Sequence, residues 1–173
     1  PGRSFWSISL LSDAGSANDS DLIAQRAGTS SGFFAGQMAY TTLQPLSFIR
    51  DDLSLFINAS GQIASKPLPA SLQKYMGGVN SVRGYQEREA SGDHGVYVNA
   101  ELRLRSSSEK TDSKSFSIQP FFFYDFGFVN DHDDAPLSAS DDTTTMHSVG
   151  SGIRANVVKH FNAGLHFGLP LKD

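Results

Sequence analysis

A chain of 173 residues is the size of a single domain, and its 16 glycines and 13 phenylalanines among many Ser, Asn and Asp residues favour strands and turns over helices. A formal net charge of −4 without any basic cluster argues against a nucleic-acid partner, and the lack of cysteine excludes both a disulfide framework and a thiolate metal site. No apolar run reaches the ~18 residues that a membrane-spanning helix needs, but barrel strands alternate and leave the average hydropathy polar.

The first residues, Pro1-Gly2-Arg3-Ser4, lead into a strand instead of an apolar signal region, so the chain is expected to be a piece of a longer one. Ser4 to Leu11 sets Trp6, Ile8 and Leu10 on one face and Ser7 and Ser9 on the other, the period of a strand. Ser12 to Ser31 is rich in Asp, Ser, Ala and Gly and reads as a long loop. Phe33 to Leu43 reads as a second strand with weaker alternation. Past a short connection through Pro45 and Ser47, Asp51 to Gln62 alternates clearly, with Leu53, Leu55, Ile57 and Ala59 opposed to Asp52, Ser54, Asn58 and Ser60.

The long segment Ile63 to His94 carries Gly77-Gly78 and then Ser81-Val82-Arg83-Gly84-Tyr85, a tight loop that presents one arginine. A strand returns from it: Val96, Val98, Ala100, Leu102 and Leu104 alternate strictly with Tyr97, Asn99, Glu101 and Arg103. A polar turn is expected at Ser106 to Ser115, then a strand from Phe116 to Val129. That strand shows Phe122, Tyr124, Phe126 and Phe128 on one face and Ser117, Gln119, Asp125 and Gly127, with Phe121 and Phe123, on the other. A polar loop over Asn130 to Thr145 precedes a strand near Ser148 to Val157, and a tight link at Val158-Lys159-His160 precedes the last strand, Phe161 to Leu171.

Seven strands with alternating long and short connections fit a transmembrane barrel of an outer membrane. Composition and alternation alone fit a soluble β-sandwich equally well. An open sheet with seven strands cannot close as a bacterial barrel, which needs an even number and no free edges.

The block Gly77-Gly78, Ser81-Val82-Arg83-Gly84-Tyr85, Ser91-Gly92-Asp93-His94-Gly95 and Glu101-Leu102-Arg103 closely resembles the sixth extracellular loop and following strand of the two-partner secretion transporters. These transporters form a branch of the superfamily that includes the barrel-assembly insertase. About forty residues beyond Arg83, Phe123-Tyr124-Asp125-Phe126-Gly127 resembles the F-x-D-x-G barrel-wall motif of the same superfamily. The resemblance implies an all-β fold, the C-terminal part of a 16-stranded transmembrane β-barrel, with 1–173 as one partial domain lacking the periplasmic polypeptide-transport-associated domains and the first barrel half. It also implies export of a large unfolded exoprotein across the outer membrane of a Gram-negative bacterium, by a barrel that sits in lipid and is monomeric when complete.

On this reading Val82, Arg83, Gly84 and Tyr85 form a loop anchor and Phe123, Asp125 and Gly127 the wall motif that receives it. Gly77 and Gly78 act as hinge, Glu101 is a second possible acceptor, and Tyr85 is expected to pack against the lumenal wall. A guanidinium folded into the lumen must find a carboxylate, because a lone buried charge is very costly. Otherwise Arg83 is a solvated loop cation and Asp125 an ordinary lumenal carboxylate. Asp131-His132-Asp133-Asp134 has ligand residue types without the spacing of a metal site, and Ser91, Asp93 and His94 make no triad. No catalytic residue, cofactor or metal is expected. Alternatives are a barrel-assembly-type insertase, a barrel translocator attached to a secreted patatin-like enzyme, and a soluble β-sandwich adhesin.

Overall fold

The computed structural model describes residues 2–13, 18–104, 107–111, 114–132, 143–157 and 161–171. Its strands are β1 (Arg3–Ser12), β2 (Phe34–Pro45), β3 (Leu53–Ala64), β4 (Lys74–Met76), β5 (Ala90–Gly92), β6 (His94–Leu104), β7 (Ser107–Thr111), β8 (Lys114–Asn130), β9 (Thr143–Val157) and β10 (Phe161–Leu171). One antiparallel sheet runs β1, β2, β3, β6, β8, β9, β10, with β7 beside the first part of β8. The alternating stretches are thus consecutive neighbours in one sheet. The short β4 and β5 pair with each other and form a second, separate ladder.

The register keeps the two faces distinct across the sheet. Ile8 lies opposite Met38, Met38 opposite Gly61, Gly61 opposite Val96, and Val96 opposite Phe128. Farther along, Phe122 faces Ser151 and Ser151 faces Phe167. A one-residue slip in any pair would turn the apolar set inward, so these side chains fix the pairing. Trp6, Leu10, Phe122 and Leu165 on this outer face are exposed at 73%, 86%, 65% and 75%. An apolar band left open to this degree suits a lipid-facing wall rather than a protein surface in water. No helix among the described residues is long and apolar enough to cross a membrane.

The inner face holds the core. β8 alternates buried and exposed residues from Phe121 to Val129, because the segment between β3 and β6 folds back against it. Met76 and Val82 of that segment form one buried cluster with Val129 and Met146. A second cluster joins Phe33, Ala35 and Leu68, with Leu11, Ala64 and Leu72 packed against it.

The connections depart from expectation in three places, one being that Thr143 to Thr145, expected at the end of the polar loop from Asn130, already belong to β9 and pair with β8. The stretch Ser12 to Ser31, read as loop, contains the helix α1 (Asp19–Gln25), which begins with Asp19 and Asp21 in its first turn, where acidic side chains offset the helix dipole. The polar turn expected over Ser106 to Ser115 is largely strand: β7 pairs residue by residue with β8, Glu109 with Phe116 and Thr111 with Lys114. A run of polar residues shows no apolar alternation to read from the sequence. The link at Val158-Lys159-His160 and residues Asp133 and Asp134 lie outside the described residues. The described Asp131 and His132 belong to no metal-binding group among the described residues.

Candidate functional site

The site is a group of charges on the inner face of β6, β8 and β9, met by the tip of the segment between β3 and β6. Gly77, Gly78 and Gly84 have φ of 98°, 93° and 94°, in the left-handed region that only glycine enters cheaply. They make the tip compact: Gly78 N–H donates to the Val82 carbonyl at 3.1 Å, and Ser81 N–H to the Gly78 carbonyl at 3.3 Å. The Ser81 hydroxyl closes back on the Gly77 carbonyl at 2.9 Å.

From this turn Arg83 projects into the sheet and is 6% exposed. Its Nε donates to Asp125 Oδ2 and its Nη2 to Asp125 Oδ1, both at 2.7 Å, a fork matched to a carboxylate that lysine cannot reproduce. The Arg83 backbone N–H also donates to Asp125 Oδ2, at 3.0 Å. Its Nη1 donates to Glu101 Oε1 at 2.6 Å. All three guanidinium nitrogens therefore have anionic acceptors, which is the condition for keeping a buried cation. The Phe123 ring lies 3.5 Å from the guanidinium carbon, giving a cation–π contact on its face.

The network extends further. Asn99 donates to Asp125 Oδ1 at 2.9 Å and to the Ser81 carbonyl, so one β6 amide binds both wall and loop. Glu101 Oε2 accepts from Arg103 Nε at 2.7 Å, and Glu101 Oε1 accepts from Arg154 Nη2 at 3.0 Å. Arg154 in turn lies over the Phe121 ring at 4.0 Å and Arg103 over Phe56 at 3.6 Å. Three arginines and two carboxylates are thus held in one array.

Small residues make this close approach possible. A β-carbon on Gly127 would stand 2.6 Å from Val82 Cγ2. One on Gly168 would stand 2.9 Å from the Gly84 nitrogen and 3.0 Å from the Arg83 carbonyl carbon. Gly150 and Gly152 leave room for the Phe123 and Phe121 rings, which a β-carbon at either would meet at 2.3 Å. Tyr85 reaches past the tip to the wall, where its hydroxyl donates to the His147 carbonyl at 3.1 Å and lies 3.3 Å from that of Leu171.

Of the residues singled out in the sequence, Val82, Arg83, Gly84, Tyr85, Glu101, Phe123, Asp125 and Gly127 all meet here, while Gly77 and Gly78 shape the turn behind the tip. Arg103, Arg154, Asn99, Gly150, Gly152 and Gly168 were not singled out as parts of a site. Alternation places each on the wet face, but only the cross-strand register shows that they converge.

Three comparisons bear on this arrangement. A family model described as haemolysin secretion/activation protein ShlB/FhaC/HecB matches residues 8–155. The heme/hemopexin transporter protein HuxB of Haemophilus influenzae (strain 86-028NP) is 28% identical over 139 residues, covering 79% of this chain and 23% of that protein. The solved structure of CdiB from Escherichia coli superposes with a TM-score of 0.72 at 20% identity, covering 99% of this chain and 30% of that one. The chain therefore spans less than a third of the length of either relative, and its sheet has the fold of part of the CdiB barrel.

Proposed function

This chain belongs to the haemolysin secretion/activation protein family, and on that footing we propose that it forms barrel wall of an outer-membrane transporter exporting an unfolded exoprotein in two-partner secretion. The apolar outer face lies in lipid and the inner face lines the conduit. The edge with the longer connections, after β1, β3 and β8, is extracellular, and the edge with the short link between β2 and β3 is periplasmic. The complete barrel is monomeric, and 1–173 is part of its C-terminal portion.

The work of this portion is to hold a loop. The observation that carries the reading is the buried fork between Arg83 and Asp125, 2.7 Å at both contacts. A loop held at its tip by a buried ion pair keeps one position within the conduit and leaves the rest of the lumen for the passing chain. Passage of an unfolded polypeptide through such a conduit calls for no bond-making chemistry. The test is Arg83→Ala in the full-length protein. Export of the cognate exoprotein should fall while insertion, read by heat-modifiable mobility on gels, stays normal; unchanged export would refute the loop's role.

A further inference from the structure

A second buried carboxylate stands apart from the Arg83 site, and transport as described gives it no part. Asp93 is fully buried at the root of the arginine loop, just before β6. Its Oδ1 accepts from Arg26 Nη1 at 2.7 Å and from the Leu68 N–H at 2.9 Å, and its Oδ2 accepts from the His132 N–H at 2.9 Å. These partners come from three different connections: the one after β1, the near arm of the arginine loop, and the one after β8. Arg26 strengthens the knot by donating to the Leu68 carbonyl at 2.9 Å and by pairing with Asp131 at 2.9 Å.

The near arm held in this way lies over the inner wall. Leu68 and Leu72 pack against Leu11, Ala35 and Ala64, inner-face residues at the extracellular ends of β1, β2 and β3. Gln62, on the same wall, donates to the Leu72 carbonyl at 2.9 Å and the Asp93 carbonyl at 3.3 Å. The root is also closely fitted, since a β-carbon on Gly92 would stand 2.6 Å from the Asn130 carbonyl oxygen. The arm thus lies against the inner wall at this end of β1, β2 and β3, beside the Arg83 tip.

We propose that Asp93 and Arg26 form a second anchor, a strap that holds the near arm of the loop across the extracellular mouth and releases while the exoprotein passes. The proposal rests on reading the chain as the wall of a conduit. The two anchors divide the work: Arg83 and Asp125 set the position of the tip, and Arg26 and Asp93 set how often the mouth is open. Both are positioning pairs, and neither acts on a bond of the cargo.

The experiment is planar-bilayer recording of the full-length protein with Arg26→Met, Asp93→Asn, their combination, and Arg26→Lys. Losing one charge-assisted contact should raise the frequency of opening roughly tenfold. The double variant should open no more often than either single, and Arg26→Lys, which keeps the charge without the fork, should fall between. Externally added trypsin should cut more readily after Lys74, at the end of the arm, in barrels whose heat-modifiable mobility is unchanged. Wild-type gating and wild-type cleavage in both single variants, or additive effects in the double, would overturn the strap while leaving the conduit standing. Absence of conductance in every variant, wild type included, would overturn the conduit and the strap together.

Discussion

Arg83 and Asp125, 42 residues apart in sequence, meet through two side-chain hydrogen bonds of 2.7 Å and a backbone bond of 3.0 Å. The acid is fully buried and the arginine nearly so. Removing one partner of such a pair leaves an uncompensated charge and costs about 3–5 kcal/mol. That asymmetry makes the pair a strong determinant of where the loop tip sits, and it separates the effects of different substitutions.

Arg83→Lys keeps the charge but reaches one carboxylate oxygen at a time and gives up the face contact with Phe123. Export by the full-length protein should fall to a level between wild type and Arg83→Ala. Quantifying secreted exoprotein per inserted barrel checks this, and a lysine variant equal to wild type would mean that charge alone suffices.

Glycine substitutions should sort by what a β-carbon meets. Gly127→Ala drives a methyl into Val82 and Gly168→Ala drives one into the backbone of Arg83 and Gly84, so each should loosen the tip at a cost of about 1–3 kcal/mol. Gly61→Ala, whose nearest contact would be an ordinary 3.7 Å, should be silent. Protease sensitivity of the loop in intact cells gives the order.

Tyr85→Phe removes only a hydroxyl, and with it the contacts to the His147 and Leu171 carbonyls. Loss of one neutral hydrogen bond costs about 1 kcal/mol, well below the loss at Arg83. Export should remain near wild type while amide exchange at His147, whose N–H lies 3.4 Å from the Tyr85 hydroxyl, becomes faster.

Asp93 gives the account a pH dependence. Burial, the largest influence, raises its pKa, but hydrogen bonds from Arg26, His132 and Leu68 together outweigh it and leave the folded value below the ordinary 3.8. Asp131 is the other charged group paired with Arg26, and the His94 and His132 rings stack on each other at 5.7 Å while the His132 backbone N–H donates to the acid. Because the folded value is the lower one, ionised Asp93 stabilises the strap at every pH above the ordinary value. That contribution is lost as the pH falls through the folded value. Amide exchange at Leu68 and His132, corrected for intrinsic rates, should stay protected above the ordinary carboxylate value of 3.8 and lose protection only as the pH falls below it through the lowered folded value. Asp93→Asn should abolish the step.

Much of the fold was legible because a wall with lipid on one side and water on the other writes its pattern into every strand. Val96 to Leu104 and Phe121 to Val129 show it residue by residue, and the connection lengths follow the chain order of the sheet. The helix Asp19–Gln25 escaped notice because its seven residues include only two large apolar side chains, Leu22 and Ile23, too few to show a helical period. β7 escaped because Ser107 to Thr111 has no apolar face. At the site, the resemblance of the two motifs to a known family brought Arg83 and Asp125 into view, and alternation along the neighbouring strand brought Glu101. The roles of Arg154, Gly150 and Gly168 depend on register between β8, β9 and β10, which single strands do not reveal. The Arg26 to Asp93 contact joins positions 67 apart through loops without a periodic signal.

The most direct measurement is a double-mutant cycle on export, with Arg83→Ala, Asp125→Ala and both together in the full-length protein, normalised to inserted barrel. If the two side chains act as one anchor, the double variant exports as well as Asp125→Ala alone, with a coupling of at least about 2 kcal/mol. Losses that multiply would show that the two residues serve export separately and would contradict the account.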